Sequence, residues 1–238
     1  MRQIFTVRNA GNRRLLLFFA GWGMDERPFR PFRPDEGEDC MVCCDYRSAD
    51  FRPSLLAGYG EVRLAAWSMG VWMGSEVWRA YGGSLPPLRA AVALNGTPCP
   101  IDAARGIDPR IYRMTERGMR DERNAEEFYR RMCHTGEEFA RFMELRPHRP
   151  AAELREELEA LRTRYEARQG ETTDEAPPLH WSRACIGEAD RIFPPEAQRA
   201  AWDGQAEIRT LPCGHWPFAA IHSGREEGGF SWKYLFDS

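Results

Sequence analysis

Short apolar runs recur through the first hundred residues, separated by polar or glycine-bearing turns. This is the pattern of strands buried on both faces, which read as near-continuous hydrophobic stretches rather than alternating ones. Gln3 to Val7, Leu15 to Ala20, Met41 to Cys44, Val62 to Trp67 and Leu88 to Leu94 are the predicted strands. Leu15 to Ala20, bounded by Gly11-Asn12-Arg13-Arg14 and Gly21-Trp22-Gly23, has the character of a central strand. Val71, Met73, Val77 and Trp78 follow Val62 to Trp67 at mixed helical spacing and predict a helix that ends at Tyr81-Gly82-Gly83. Asn95-Gly96-Thr97-Pro98 stops the Leu88 strand. Strands alternating with helices imply a mostly parallel sheet with helices on both faces.

The rhythm breaks between residues 107 and 170. That segment holds 14 arginines against 14 aspartates and glutamates. Phe128, Tyr129, Phe139, Phe142, Leu154, Leu158 and Leu161 are interleaved at spacings of three, four and seven, which predicts amphipathic helices. After the polar stretch 170–178 the strand pattern resumes with Ala184 to Gly187 and Ala206 to Leu211. The helical block is therefore an insertion between two strands of one domain spanning residues 1–238. An insertion there sits over the carboxyl ends of the strands, where open sheets of this class bind ligands, and is expected to form a lid.

Composition narrows the partners. A chain of 238 residues can bury most of its apolar surface, and a formal net charge of −3 with a pI near 6.0 gives no global attraction for nucleic acid or an anionic membrane. Lys233 is the sole lysine, so the cationic surface is guanidinium. No apolar stretch near Met1 has the length of a signal peptide or a membrane span, and a cytoplasmic location is the expectation. Seven scattered cysteines predict reduced thiols. Cys40, Cys43 and Cys44 lack a second ligand pair at zinc spacing, so strand packing is expected of them and no metal.

The strongest chemical signal is Ala66-Trp67-Ser68-Met69-Gly70, where a buried strand turns into a helix. A nucleophile elbow is usually Gly-x-Ser-x-Gly because strand and helix must pass closely on either side of the serine. Ala66 departs from that pattern by one methyl group. A serine hydroxyl needs a base within hydrogen-bond reach, and His215, in Pro212-Cys213-Gly214-His215-Trp216-Pro217-Phe218 after the last predicted strand, is the candidate. His134, His148, His180 and the helical His222 are read as surface or structural. Asp190 falls between Ser68 and His215 in chain order, on the loop after the Ala184 strand, as the acid that orients the imidazole; it could instead cap the helix near Pro194 or pair with Arg191. Glu188 and Asp45 are fallback acids. The backbone N–H groups of Met69 and of Trp22, within Gly21-Trp22-Gly23, are the expected oxyanion donors. Together these features predict an α/β-hydrolase fold, a mostly parallel central sheet flanked by helices with the helical lid of 107–170 inserted.

Phe18-Phe19-Ala20-Gly21-Trp22-Gly23-Met24-Asp25, with Trp67-Ser68-Met69-Gly70-Val71-Trp72 and Asn95-Gly96-Thr97-Pro98, resembles the BioG family of pimeloyl-acyl-carrier-protein methyl ester esterases. The likeness covers roughly residues 13–100 and 182–218. It implies an esterase of biotin biosynthesis with no cofactor, in which Ser68, His215 and Asp190 form the triad and the Trp22 and Met69 amides hold the oxyanion; a monomer is the separate expectation. The implied partner is an acyl carrier protein bearing a methyl pimeloyl chain. On that reading the lid arginines Arg130, Arg131, Arg141 and Arg146 bind the acidic carrier, unless acidic neighbours neutralise them as i,i+4 pairs. The competing readings are another short-chain carboxylesterase or thioesterase of the same fold, and a non-catalytic hydrolase-like binding protein.

Overall fold

The computed structural model describes residues 1–169, 178–218 and 232–236. Seven strands form one sheet in the order β1-β3-β2-β4-β5-β6-β7. They are β1 (Arg2–Val7), β2 (Arg14–Phe19), β3 (Glu38–Cys44), β4 (Glu61–Trp67), β5 (Leu88–Leu94), β6 (Arg183–Gly187) and β7 (Glu207–Leu211). Only β1 is antiparallel, pairing with β3 at the sheet edge; the other neighbours run parallel. Each predicted strand is present, Leu88–Leu94 with the bounds expected and the others with at least one end moved by one to three residues. Leu15 to Phe19 are fully buried, as both faces of β2 are covered by packed elements. Each such side chain withdraws from water at a gain of about 1.5–3 kcal/mol.

Helix α1 (Met69–Tyr81) leaves β4 at Ser68 and packs on β2 and β4. Helices α2 (Pro109–Gly118), α3 (Glu122–Met132), α4 (Gly136–Leu145) and α5 (Ala151–Gln169) fill the segment between β5 and β6. Asp108, Asp121 and Thr135 cap α2, α3 and α4 by accepting backbone N–H groups, which is why each helix starts where it does. Helix α5 packs on α2 and α3 and buries Leu154, Leu158 and Leu161. Helix α6 (Pro195–Trp202) lies against β6 and β7, and a last short turn, α7 (Lys233–Phe236), meets β5.

Cys40, Cys43 and Cys44 are buried in β3, and burial pushes the thiols of Cys40 and Cys44 up to about 12, far from the reactive thiolate range. Among the described residues no group of three or more His, Cys, Asp or Glu is arranged to hold a metal ion, and no helix is long and apolar enough to cross a membrane.

The β4–α1 turn is possible because of Gly70. A Cβ there would sit on the carbonyl oxygens of Phe19 and Ala20, so helix and strand approach to backbone contact. Gly70→Ala is therefore expected to destabilise the protein by about 1–3 kcal/mol through overpacking. Thermal denaturation measures it, and an unchanged midpoint would mean that the approach is looser than described.

Candidate active site

The site is assembled at the carboxyl ends of β4, β6 and β7. Ser68 has φ 60° and ψ −129°, a left-handed backbone in a residue other than glycine, which costs of order 1–3 kcal/mol. The turn is held by its neighbours: the Ser68 amide donates to the Leu94 carbonyl at 2.9 Å, and Gly96 lies so close to the Ser68 carbonyl that no Cβ would fit there. The consequence is that the Ser68 side chain leaves the sheet edge rather than entering the core.

His215 and Asp190 meet it there. His215 Nε2 is 2.9 Å from Ser68 Oγ, and His215 Nδ1 is 2.9 Å from Asp190 Oδ2. A carboxylate can only accept, so an ionised Asp190 fixes the proton on Nδ1 and leaves the Nε2 lone pair for the serine hydroxyl. All three side chains are buried. Asp190 Oδ1 accepts the backbone N–H groups of Ile192 and Phe193 at 2.8 and 2.9 Å, and Oδ2 also accepts from Gln198 Nε2 at 3.1 Å. The Phe193 ring lies parallel to the imidazole, 7° apart in plane. Asp190 does not cap α6, whose N-cap Pro194 carries no side-chain cap hydrogen bond; it binds the loop before that helix while facing the histidine. Asp45 is elsewhere, paired with Arg47 and Arg149, and Glu188 is exposed. His134, His148 and His180 are exposed, and His222 lies outside the described residues.

The backbone amides of Trp22 and Met69 find no acceptor among the described residues, and both residues line the cleft that holds Ser68 and His215. The cleft, about 570 Å³ counted to its open mouth, has walls from Trp22, Trp67, Ile107, Tyr112, Phe128 and Leu158. Four of the arginines in the 107–170 segment were candidates for the rim. Arg131 lines the cleft with its guanidinium 5.8 Å from the Phe128 ring. Arg130 and Arg141 instead pair with Glu126 at 3.4 Å and Glu137 at 2.6 Å, both as i,i+4 neighbours, and Arg130 lies 4.0 Å over Phe139. Arg146 is exposed, its carbonyl accepting from Arg27 Nε. Arg191, beside the acid, also lines the cleft and was not foreseen.

The sequence of residues 1–224 matches the family described as pimeloyl-ACP methyl esterase BioG. The chain belongs to the BioG family.

A crystal structure of BioG from Haemophilus influenzae superposes with a TM-score of 0.82 at 29% identity, covering 100% of both chains. A malonyl-[acyl-carrier protein] O-methyltransferase of Bacteroides fragilis is 45% identical over 204 residues, 84% of this chain. The chain spans 39% of the length of that relative. An esterase from Thermogutta terrifontis, at 18% identity, TM-score 0.61 and coverage of 92% and 93% of the two chains, shares the fold alone. The α/β-hydrolase fold expected from the sequence is thus the fold of this BioG protein.

Sequence reading missed the residues that hold this BioG site from behind. Asn95, buried at φ 43°, donates through Nδ2 to the carbonyls of Gly214 (2.9 Å) and His215 (3.0 Å), and its Oδ1 accepts the Gly187 amide at 2.6 Å. Trp67 Nε1 donates to the same His215 carbonyl at 2.8 Å. The available signal was the position of Asn95 directly after a buried strand, where asparagine tolerates a left-handed backbone. Asn95→Asp would set a carboxylate oxygen against two carbonyls. It is expected to cost about 2–3 kcal/mol in denaturant unfolding, and an unshifted midpoint would remove Asn95 from this role.

Proposed function

We propose that this BioG protein is a serine carboxylesterase that cleaves the methyl ester of pimeloyl-acyl-carrier protein, the step that frees the distal carboxylate in biotin biosynthesis. The observation that carries the reading is the continuous hydrogen-bonded chain from Ser68 Oγ through His215 to Asp190, 2.9 Å at each link, opening on a largely apolar cleft. Family membership supports the substrate class.

In the proposed mechanism Ser68 Oγ attacks the ester carbonyl while His215 Nε2 takes its proton. The oxyanion that forms is held by the Trp22 and Met69 amides, the second at the start of α1 where the helix dipole also favours negative charge. Collapse of the tetrahedral intermediate breaks the bond to methoxide, which leaves as methanol with the proton from His215. Water then loses a proton to the same imidazole and attacks the acyl-enzyme; the bond to Ser68 Oγ breaks, His215 returns the proton to that oxygen, and the free acid leaves. Asp190 holds the Nδ1 tautomer and steadies the imidazolium in both steps. No step requires a metal or organic cofactor.

The substrate carries a second cleavable carbonyl, the thioester to the carrier, so selectivity must be positional. Helices α2–α5 act as a lid in this reading, with the carrier docked at the rim and only the far end of the chain reaching Ser68. Arg131 and Arg191 are the guanidinium groups best suited to an acidic carrier, since both line the cleft and neither has a carboxylate partner among the described residues. Arg130 and Arg141 are partly neutralised by their neighbours.

Substitutions and active-site labelling test the reading. Ser68→Ala should abolish release of methanol from methyl pimeloyl-carrier protein, and Asp190→Asn should lower kcat about 10⁴-fold by inverting the tautomer. Activity surviving in Ser68→Ala sinks the mechanism, and preferential release of the carrier thiol over methanol would make the protein a thioesterase. A folded wild-type protein whose Ser68 resists a fluorophosphonate would instead be a binding protein. Reversing Arg131 and Arg191 to glutamate together should raise KM for the carrier-bound ester at least tenfold while leaving a small free methyl ester within about twofold. Equal effects on both substrates would show that these arginines do not dock the carrier.

A further inference from the structure

Four consecutive residues after β2 are each tied to one stretch of the inserted helical segment. Trp22 Nε1 donates to the Leu154 carbonyl at 2.8 Å, the Gly23 amide donates to Glu157 Oε2 at 3.1 Å, Arg149 Nη1 donates to the Met24 carbonyl at 3.3 Å, and the His148 amide donates to Asp25 Oδ2 at 2.8 Å. The loop that carries the Trp22 amide is therefore shaped by residues 148–157, more than a hundred positions further along the chain.

Glu157 is the centre of this contact. It is fully buried, and its carboxylate accepts the Gly23 amide and Arg149 Nη1 (2.5 Å) on one oxygen and the Tyr46 amide (2.8 Å) on the other. Arg149 continues to Asp45 at 3.1 Å. Burial pushes the Glu157 carboxyl above the ordinary carboxylate range, with Arg149 and the two amides opposing that shift. A carboxylate is a costly way to anchor a loop, because an apolar contact would hold the helix without desolvating charge. What a carboxylate does supply is a directional acceptor for Gly23. That residue has φ 78°, so the chain turns sharply there and the amide plane on its N-terminal side is free to swing unless it is bonded. This plane joins Trp22 to Gly23 and meets, at the Trp22 Cα, the Gly21–Trp22 plane that carries the Trp22 N–H, so holding it limits the rotations about Trp22 that would re-aim that N–H.

We propose that Glu157 is a positioning residue for the oxyanion site, fixing through the Gly23 amide the direction of the Trp22 N–H toward the cleft. This rests on the reading of the Trp22 amide as an oxyanion donor, proposed above. It makes the inserted segment part of the catalytic apparatus from behind, in addition to its walls in front.

The test compares two variants. Glu157→Leu combined with Arg149→Met removes the acceptor while replacing the ion pair by apolar groups of similar volume, and Glu157→Gln keeps one carbonyl oxygen able to face Gly23 and Arg149. Each is assayed for kcat and KM on a small methyl ester, with active sites counted by fluorophosphonate titration. Each is also assayed for affinity to an alkyl trifluoromethyl ketone, which mimics the tetrahedral oxyanion, and for melting temperature. The double variant is expected to lose at least about tenfold in kcat with KM nearly unchanged, and to lose ketone affinity by a similar factor. Glu157→Gln is expected to melt earlier yet keep kcat and ketone affinity within about threefold. Undiminished ketone affinity in the double variant, or a collapse of both readouts in Glu157→Gln, overturns the proposal and leaves Glu157 a structural anchor. Wild-type protein that binds no ketone overturns the serine-esterase reading along with it, so the two failures are distinguishable.

Discussion

The carboxyl edge of the sheet depends on the side-chain amide of Asn95. Parallel strands end with backbone groups that have no further strand to pair with, and a buried group left without a partner is expensive. Asn95 satisfies three of them at once, on the loops after β6 and β7, from its own place at the end of β5. Its neighbour Gly96 lies against the Ser68 carbonyl after β4. The strand ends that deliver the serine, the aspartate and the histidine therefore converge on one asparagine. The spacing of the Ser68–His215–Asp190 chain follows from how these ends are fastened.

Two tryptophans extend the same solution. Trp67, in the strand-to-helix turn itself, donates to the His215 carbonyl, and Trp202 of α6 donates to the Gly96 carbonyl at 2.9 Å. Each indole gives its ring to the core and its N–H to a carbonyl of the edge, which is what an amphipathic aromatic does well. Around Trp67 the rings of Phe29, Trp216 and Phe218 pack within about 6.3 Å in edge and tilted contacts, so the histidine loop is clamped by aromatic packing on one side and by Asn95 on the other. Rigid support of this kind is what lets a strained serine backbone persist.

How much of this was legible in the sequence depended on whether the signal was local. The strands were readable because burial on both faces leaves an apolar run that needs no knowledge of the partner. The candidate trio was readable because Ser68, Asp190 and His215 each follow a predicted strand and keep the chain order of the fold. The supporting shell was not. Glu157 sits beside Glu156 in a helix of five glutamates and four arginines, and spacing alone gives it the look of a solvated position; its complete burial comes from the approach of residues 22–25 and 46, which no local pattern encodes. Arg149 is hidden in the same way within a run of arginines. The pairs Glu126–Arg130 and Glu137–Arg141 lie at the other extreme, since their spacing of four fixes their proximity before any tertiary contact is made. Local spacing thus brought possible partners together without choosing among them, since Glu127 stands four before Arg131 yet pairs with Arg123, and burial of a charge by distant chain was invisible to it.

That division bears on selectivity. A serine with a base and two amide donors attacks an ester or a thioester carbonyl alike, so nothing in the Ser68 apparatus distinguishes the two ends of a carrier-bound methyl ester. On the function proposed above, discrimination has to come from the cleft wall and the rim, and those are supplied largely by the inserted helices. The same helices reach behind the wall, through Glu157 and Leu154, to the loop that carries the Trp22 amide. On the reading proposed above, an exchange of this segment between related enzymes would therefore change more than the pocket. A graft that reproduced the wall but lost the acceptor for Gly23 would bind substrate with the new preference and turn it over slowly. The inserted helices and the oxyanion loop are in that sense a single functional unit, although 134 positions separate Gly23 from Glu157 along the chain.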